Sequence, residues 1–215
     1  MTAVHHPSEE TLLGHASGGL DEAHRVVVAT HLAGCAACRD GVRLAERIGG
    51  EVLNGLDRSD MAPGALEACL ARLDEDFIEA ARVPAPVGLA AAVGLPASLA
   101  GYRIGRVRRP VPGLGIATIL RPRQGRAGLH LLHVAPGMSM PAHSHGGLEL
   151  TAILRGAFSD DSGIYRAGDV AETDEADHHT PVALAGETCI CLIAVSGRLR
   201  FEHWLARLVQ PLFGV

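Results

Sequence analysis

Residues 137–156 read Gly137-Met-Ser-Met-Pro-Ala-His143-Ser-His145-Gly-Gly-Leu-Glu149-Leu-Thr-Ala-Ile-Leu-Arg-Gly156, the pattern G-x5-H-x-H-x3-E-x6-G. Side chains alternate along a strand, so His143 and His145 point to the same side. Glu149 falls an even number of positions further on. After a turn at Gly146-Gly147 the chain can return its carboxylate to the same cavity. Two imidazoles and a carboxylate suit zinc, iron, manganese or nickel. The glycines permit the turns that flank such strands.

The surroundings agree with a β structure. From Tyr102 onward the chain breaks into short runs rich in Val, Ile, Leu and Thr, among them GIATILRP, GLHLLHVAPG, LELTAILRG, TCICLIAVSG and LRFEHW, separated by Gly, Pro and Asp. Such texture predicts a β-sandwich or barrel. A fourth ligand is expected from a later strand, and YRAGDVAETDEADHHTPVA offers His178 or His179. If both lie on a strand they face opposite ways. His130 and His133 have odd spacing, which places them on opposite faces and leaves them unassigned. Cys189 and Cys191 are two apart and share a face, either as small buried residues or as a thiol pair near the metal.

The first eighty residues have a different period. Ser8 is placed to cap a helix through Leu12 and Leu13 that Gly18-Gly19 ends, and Asp21 to open a second through Val26–Val28, Leu32 and Cys35. Gly49-Gly50 and Gly55 mark expected breaks. A later helix after Ser59 carries Leu66, Cys69, Leu70, Leu73 and Phe77 at helical spacing. Pro84, Pro86, Pro96 and scattered glycines then predict a linker.

Within the second helix, His31-Leu-Ala-Gly-Cys35-Ala-Ala-Cys38 has H-x3-C-x2-C spacing. Separations of four and three put all three side chains on one helical face, able to converge on one ion. One imidazole and two thiolates leave tetrahedral zinc a ligand short. His5, His6, His15 and His24 are the nearby candidates. His24 lies two turns before His31, roughly 10 Å along the axis, so His6, on a separate segment, closes the set better.

Composition narrows the partners. The 215 residues are 47% hydrophobic but only 3% aromatic, and all 19 basic residues are arginine. Residues 1–85 hold 14 acidic against 7 basic groups and residues 86–215 hold 10 against 12. An acidic N-terminal half opposes phosphate approach and suits a partner with a basic surface. Direct DNA binding through the zinc motif and Arg103–Arg109 is therefore disfavoured. Five cysteines, an odd number, argue against a disulfide framework. MTAVHHPSEE lacks the features of a secretory signal, and Ala90–Ala100 is too short and broken to span a membrane. The expected location is the cytoplasm.

The stretch VVVATHLAGCAAC, preceded by His5-His6, resembles the zinc-binding domain of ChrR-type anti-sigma factors, and the 137–156 pattern is similar to the first motif of the cupins. The resemblance covers nearly the whole chain. It implies an α+β multidomain protein: a small all-α zinc-binding bundle followed by an all-β cupin, a jelly-roll barrel. The divisions expected are 1–85 for the anti-sigma domain, 86–101 for a linker, 102–200 for the cupin and 201–215 for a C-terminal tail. His6, His31, Cys35 and Cys38 would hold zinc. In such cupins the late ligand is followed by one residue and then proline, which selects His179 before Thr180-Pro181. His143, His145, Glu149 and His179 would hold a second divalent ion, zinc being expected and iron, manganese or nickel the alternatives.

By the same resemblance the N-terminal domain sequesters an extracytoplasmic-function (ECF, group IV) sigma factor in a 1:1 complex and suffices to inhibit it. The cupin would sense singlet oxygen or related oxidants. Leu66, Leu70, Leu73 and Phe77 are candidate contacts, although their spacing equally suits a core. The competing reading is a dioxygenase-like cupin metalloenzyme fused to a zinc module.

Overall fold

A computed structural model describes residues 3–73, 94–123, 125–197 and 200–201. Among them are four α-helices followed by eleven β-strands, the α+β arrangement expected. The Ser8 side chain accepts from the Thr11 amide to start α1 (Glu9–Ala16), and Asp21 accepts from the Ala23 amide to start α2 (Glu22–Gly34). Each cap satisfies an amide that the first turn leaves without a helical partner.

Helix α3 (Ala36–Asn54) corrects two expectations. It runs through Gly49-Gly50 without a break and stops at Gly55, whose amide bonds to the Glu51 and Val52 carbonyls. Two mid-helix glycines cost about 2 kcal/mol in propensity, and the Ala, Glu, Arg and Leu around them sustain the helix. The second correction concerns Cys35. It does not continue α2 but sits extended between α2 and α3, with φ −107° and ψ 108°. His31 and Cys38 therefore belong to different helices, not to one helical face.

Helix α4 (Ala65–Ala71) is shorter than its apolar spacing suggested. Leu66, Leu70 and Leu73 are 59%, 52% and 77% exposed, so this stripe is not a core face. Phe77, the first half of the expected linker (86–93) and the tail beyond Phe201 lie outside the described residues.

The strands form three antiparallel sheets. The largest orders β1 (Arg108–Val111), β2 (Leu114–Leu120), β3 (Gly128–Val134), β10 (Cys189–Val195), β5 (Glu149–Arg155) and β8 (Val170–Thr173). Opposing it are β7 (Gly163–Arg166), β6 (Ala157–Asp160) and β9 (Val182–Ala183), while β11 (Arg200–Phe201) pairs with β4 (His143–Ser144). Alternation along the large sheet separates two environments. Cys189, Cys191, Ile193 and Val195 turn into the barrel, with Glu149, Thr151, His130 and Leu132. Leu129, Leu150, Ala152, Leu192 and Ala194 turn outward.

The outward face is not left to water. Ala23, Val26, Val27 and Val28 of α2 pack on it, and together they make one buried cluster. The central strands β5 and β10 are thus covered on both faces, which is why LTAILR and CICLIAV read as almost continuous apolar runs. Helices and barrel share a core. A fully buried Val or Leu contributes roughly 1.5–3 kcal/mol, so this contact alone resists separation of the two parts.

Candidate metal centres

Four side chains converge where the chain enters α1, leaves α2 and begins α3. His6 Nδ1 lies 3.3 Å from His31 Nε2, 3.5 Å from Cys35 Sγ and 3.4 Å from Cys38 Sγ, and His31 Nε2 lies 3.3 Å from Cys38 Sγ. All the ligand atoms fall within 4.8 Å of one another. Tetrahedral zinc with bonds of ~2.05 Å to nitrogen and ~2.3 Å to sulfur separates N from N by ~3.3 Å and N from S by ~3.5 Å. The donor set has the spacing that ion requires. Convergence comes from the extended Cys35, which reverses the chain and brings the first turn of α3 back to the last turn of α2. His5, the alternative on the arm, instead packs against Tyr165 in a tilted ring contact with centroids 4.5 Å apart, and His24 bonds the Leu148 carbonyl at 3.1 Å.

The protonation of these groups follows from burial. Desolvation lowers the His31 pKa below the usual imidazole value, against the opposing pull of the Gly168 carbonyl. Burial, then the Cys35 thiol beside it, pushes Cys38 up to about 11. A divalent cation reverses the thiol's preference, since coordination deprotonates it. Because the ligands shed protons on binding, folding of this arm and metal loading are linked.

The second cluster lies inside the barrel. His143, His145 and His179 are all buried, and their ligand atoms lie within 4.8 Å of one another. His179 Nε2 is 3.2 Å from His145 Nε2 and 3.2 Å from His143 Nε2, again the edge length of a metal's coordination shell. His143 and His179 meet through paired backbone hydrogen bonds of 3.2 Å each way. His178, the neighbouring candidate, is exposed.

The outward nitrogens are oriented by groups that spacing alone did not suggest. His143 Nδ1 lies 2.7 Å from the Pro141 carbonyl. His179 Nδ1 lies 3.2 Å from the buried carboxylate of Asp160, which arrives from β6 on the opposing sheet. Such partners hold the ring so that Nε2 would face an ion bound among the three histidines. Nothing in the turn sequence around Asp160 signals this role, because the contact crosses between sheets.

Glu149 stands beside the three-histidine set. Its Oε2 is 3.1 Å from His145 Nδ1, without hydrogen-bond alignment, while Oε1 accepts from Thr151 Oγ1 at 3.3 Å. Burial raises its carboxyl to about 8. Burial likewise lowers His143 to about 4 and His145 to about 3. Neutral imidazoles keep a lone pair for an ion, and a buried carboxyl with an unpartnered oxygen gains a partner when a cation arrives. Both constellations therefore fit a metal ion. A cavity of about 100 Å³ adjoins the second, lined by Ile116, Leu132, Val134, Phe158, Cys189 and Cys191 among others. The cysteine pair thus faces the cavity, and neither thiol belongs to the metal-ligand cluster.

A stretch the spacing could have revealed is an apolar stripe on α3. Leu44, Ile48 and Val52 recur every fourth residue and are 51%, 57% and 63% exposed.

Residues 110–197 match the ChrR cupin-like domain. Over its full length the chain is 38% identical, across 222 aligned residues, to the anti-sigma-E factor ChrR of Cereibacter sphaeroides, with 100% of both chains covered. This chain belongs to the ChrR family of anti-sigma factors. A crystal structure of Rhodobacter sphaeroides SigE in complex with the anti-sigma ChrR is similar to it with a TM-score of 0.71 and 35% identity, over 91% of this chain and 100% of that one. The ChrR-family likeness thus spans both the helices and the barrel. No described helix of this ChrR-family chain is long and apolar enough to cross a membrane.

Proposed function

We propose that this protein is a zinc-dependent anti-sigma factor that holds an ECF sigma factor away from core RNA polymerase in a 1:1 complex. The observation that carries the reading is full-length identity of 38% to the anti-sigma-E factor ChrR, alongside the likeness to a ChrR crystallised in complex with SigE. The exposed apolar residues of α3 and α4 supply the physical means. Leu44, Ile48, Val52, Leu66, Leu70 and Leu73 are each more than half exposed, and apolar surface of this kind is expected to be covered by a partner. A sigma factor held there cannot dock simultaneously on polymerase.

Residues 1–85 form the sigma-binding unit in this reading, 86–101 the connection, 102–200 the sensing cupin and 201–215 a tail, with the cytoplasm as the site of action. Zinc bound by His6, His31, Cys35 and Cys38 ties the N-terminal arm to the helices, as the mixed sulfur and nitrogen donor set favours that ion. His143, His145 and His179, with Glu149 as fourth donor, hold a second zinc. An oxidative signal such as singlet oxygen, received at the cupin, releases the sigma factor. The protein acts as a regulator, not an enzyme.

The test is transcription in vitro from an ECF-dependent promoter. Adding the full chain to sigma factor before core polymerase should suppress initiation, and adding it to a housekeeping sigma factor should not. Undiminished initiation by every ECF sigma factor of the same genome would overturn the reading.

A further inference from the structure

Two of the four ligands in the N-terminal centre are positioned by the barrel. His6 lies between residues that the barrel grips on either side. On one side the amides of Val4 and His5 donate to Asp169 Oδ1 at 2.7 and 3.2 Å, and the Val170 amide donates to the His5 carbonyl at 3.2 Å. On the other, the Ser8 amide and hydroxyl donate to Glu172 at 2.8 and 2.7 Å, and the Thr11 hydroxyl donates to the same carboxylate at 2.8 Å. His31 Nδ1 donates to the Gly168 carbonyl at 2.9 Å, which directs Nε2 at the other three ligands. Gly168, Asp169 and Glu172 occupy one turn and the strand that follows it.

Asp169 is built for the grip. Burial would raise its carboxyl, yet amides of Arg166, Val4 and His5 outweigh that cost and hold it below the usual carboxylate range. Both its oxygens are engaged, Oδ2 by the Arg166 amide at 2.9 Å.

The same strand reaches the second centre. In the β5–β8 pairing Glu172 is opposite Leu150 and Thr173 is opposite Glu149. Alternation sends Leu150 into the cluster beneath α2 and Glu149 into the barrel cavity. Strand β8 therefore has the arm of one metal centre on its outer side and Glu149, in contact with His145, across its inner side. Glu172 and Glu149 thus lie on adjacent strands and on opposite faces of the sheet.

We propose that Gly168, Asp169 and Glu172 are positioning residues for His6 and His31, through which the occupancy of the cupin centre sets how tightly the Cys35–Cys38 centre keeps its ion. The proposal rests on reading both clusters as metal sites. A shift of β8 relative to β5 when the cupin centre empties moves Glu172 and the 166–169 turn together, and so loosens the arm. Coupling between the sites is reciprocal.

The experiment uses the full chain loaded with cobalt. Thiolate-to-cobalt absorption reports the Cys35–Cys38 centre alone, and its decay under excess EDTA is followed in wild type, His143→Ala, Glu172→Leu and the double variant. His143→Ala should accelerate the decay by about fivefold or more in the wild-type background, the lower end of ordinary coupling between sites. In the Glu172→Leu background it should change the decay by less than about twofold. Glu172→Gln keeps one accepting oxygen for the Ser8 and Thr11 hydroxyls and should restore part of the coupling, which a merely structural loss would not. Equal acceleration in both backgrounds, or none in wild type, would overturn the proposal. Fewer than two cobalt ions per wild-type chain would overturn the metal reading beneath it, a failure separately visible in the metal count.

Discussion

His31 Nδ1 lies 2.9 Å from the carbonyl oxygen of Gly168, so a candidate metal-site imidazole on a helix takes its orientation from a turn of the barrel 137 residues further along the chain. The shared core beneath it has the same consequence at larger scale: the helical arm and the barrel are not beads on a string. They stabilise each other.

Leu150 is fully buried between β5 and α2. Leu150→Ala should cost about 2–5 kcal/mol, as for other buried leucines. Unfolding followed by far-ultraviolet circular dichroism should show helix and strand signals lost in one lowered transition. A helical signal that melts at its wild-type midpoint would contradict the shared core.

Cys35→Ser and Cys38→Ser should each remove one zinc equivalent per chain, measured by elemental analysis. Sigma binding should go with it, because the arm carrying His6 loses its cross-link and site formation and folding share one free energy. His143→Ala should remove the other equivalent while leaving inhibition of transcription intact.

Exposed residues give the converse signature. Leu66→Asp with Leu70→Asp should lower affinity for the sigma factor by about tenfold or more. The melting temperature of the free chain should barely move, since surface substitutions usually stay within about 0.5 kcal/mol. A large stability loss would return this stripe to the core.

The metal-free chain should have a distinctive pH profile. His130, His143 and His145 are held neutral by burial, with values of about 4, 4 and 3. Between those values and the ordinary ~6.5 of an unfolded histidine the unfolded chain binds more protons, so stability rises with pH through that window. Glu149, raised to about 8, acts in the opposite sense: the folded state keeps its proton from the unfolded value upward, and stability falls as pH rises toward 8. Three histidines outweigh one carboxyl below ~6.5. Thermal melts from pH 4 to 8 should therefore peak near that value, and a monotonic rise to pH 8 would contradict the assignment.

The candidate metal ligands were the most legible part of the chain, because ligand spacing is a local property. H-x-H at 143 and 145 and H-x3-C-x2-C from 31 to 38 survive any packing, and both sets of atoms come together. Helix starts at Ser8 and Asp21 were legible for the same reason. What escaped was tertiary. The bend at Cys35 brings Cys38 onto His31 and His6, while the unbroken passage through the exposed Gly49-Gly50 is the exception, a local balance of propensities that the surrounding helix formers decide. Docking of Val26–Val28 onto the barrel leaves only a doubly apolar strand as its trace, and the contacts of Asp160, Asp169 and Glu172 join segments with no common motif.

The most direct measurement is co-purification of the full chain with each ECF sigma factor of its genome, with mass and metal content determined on the isolated complex. A 1:1 complex holding two metal ions, lost on Cys35→Ser, is the predicted result. A chain that retains both ions yet forms no complex with any of them would contradict the account at its centre.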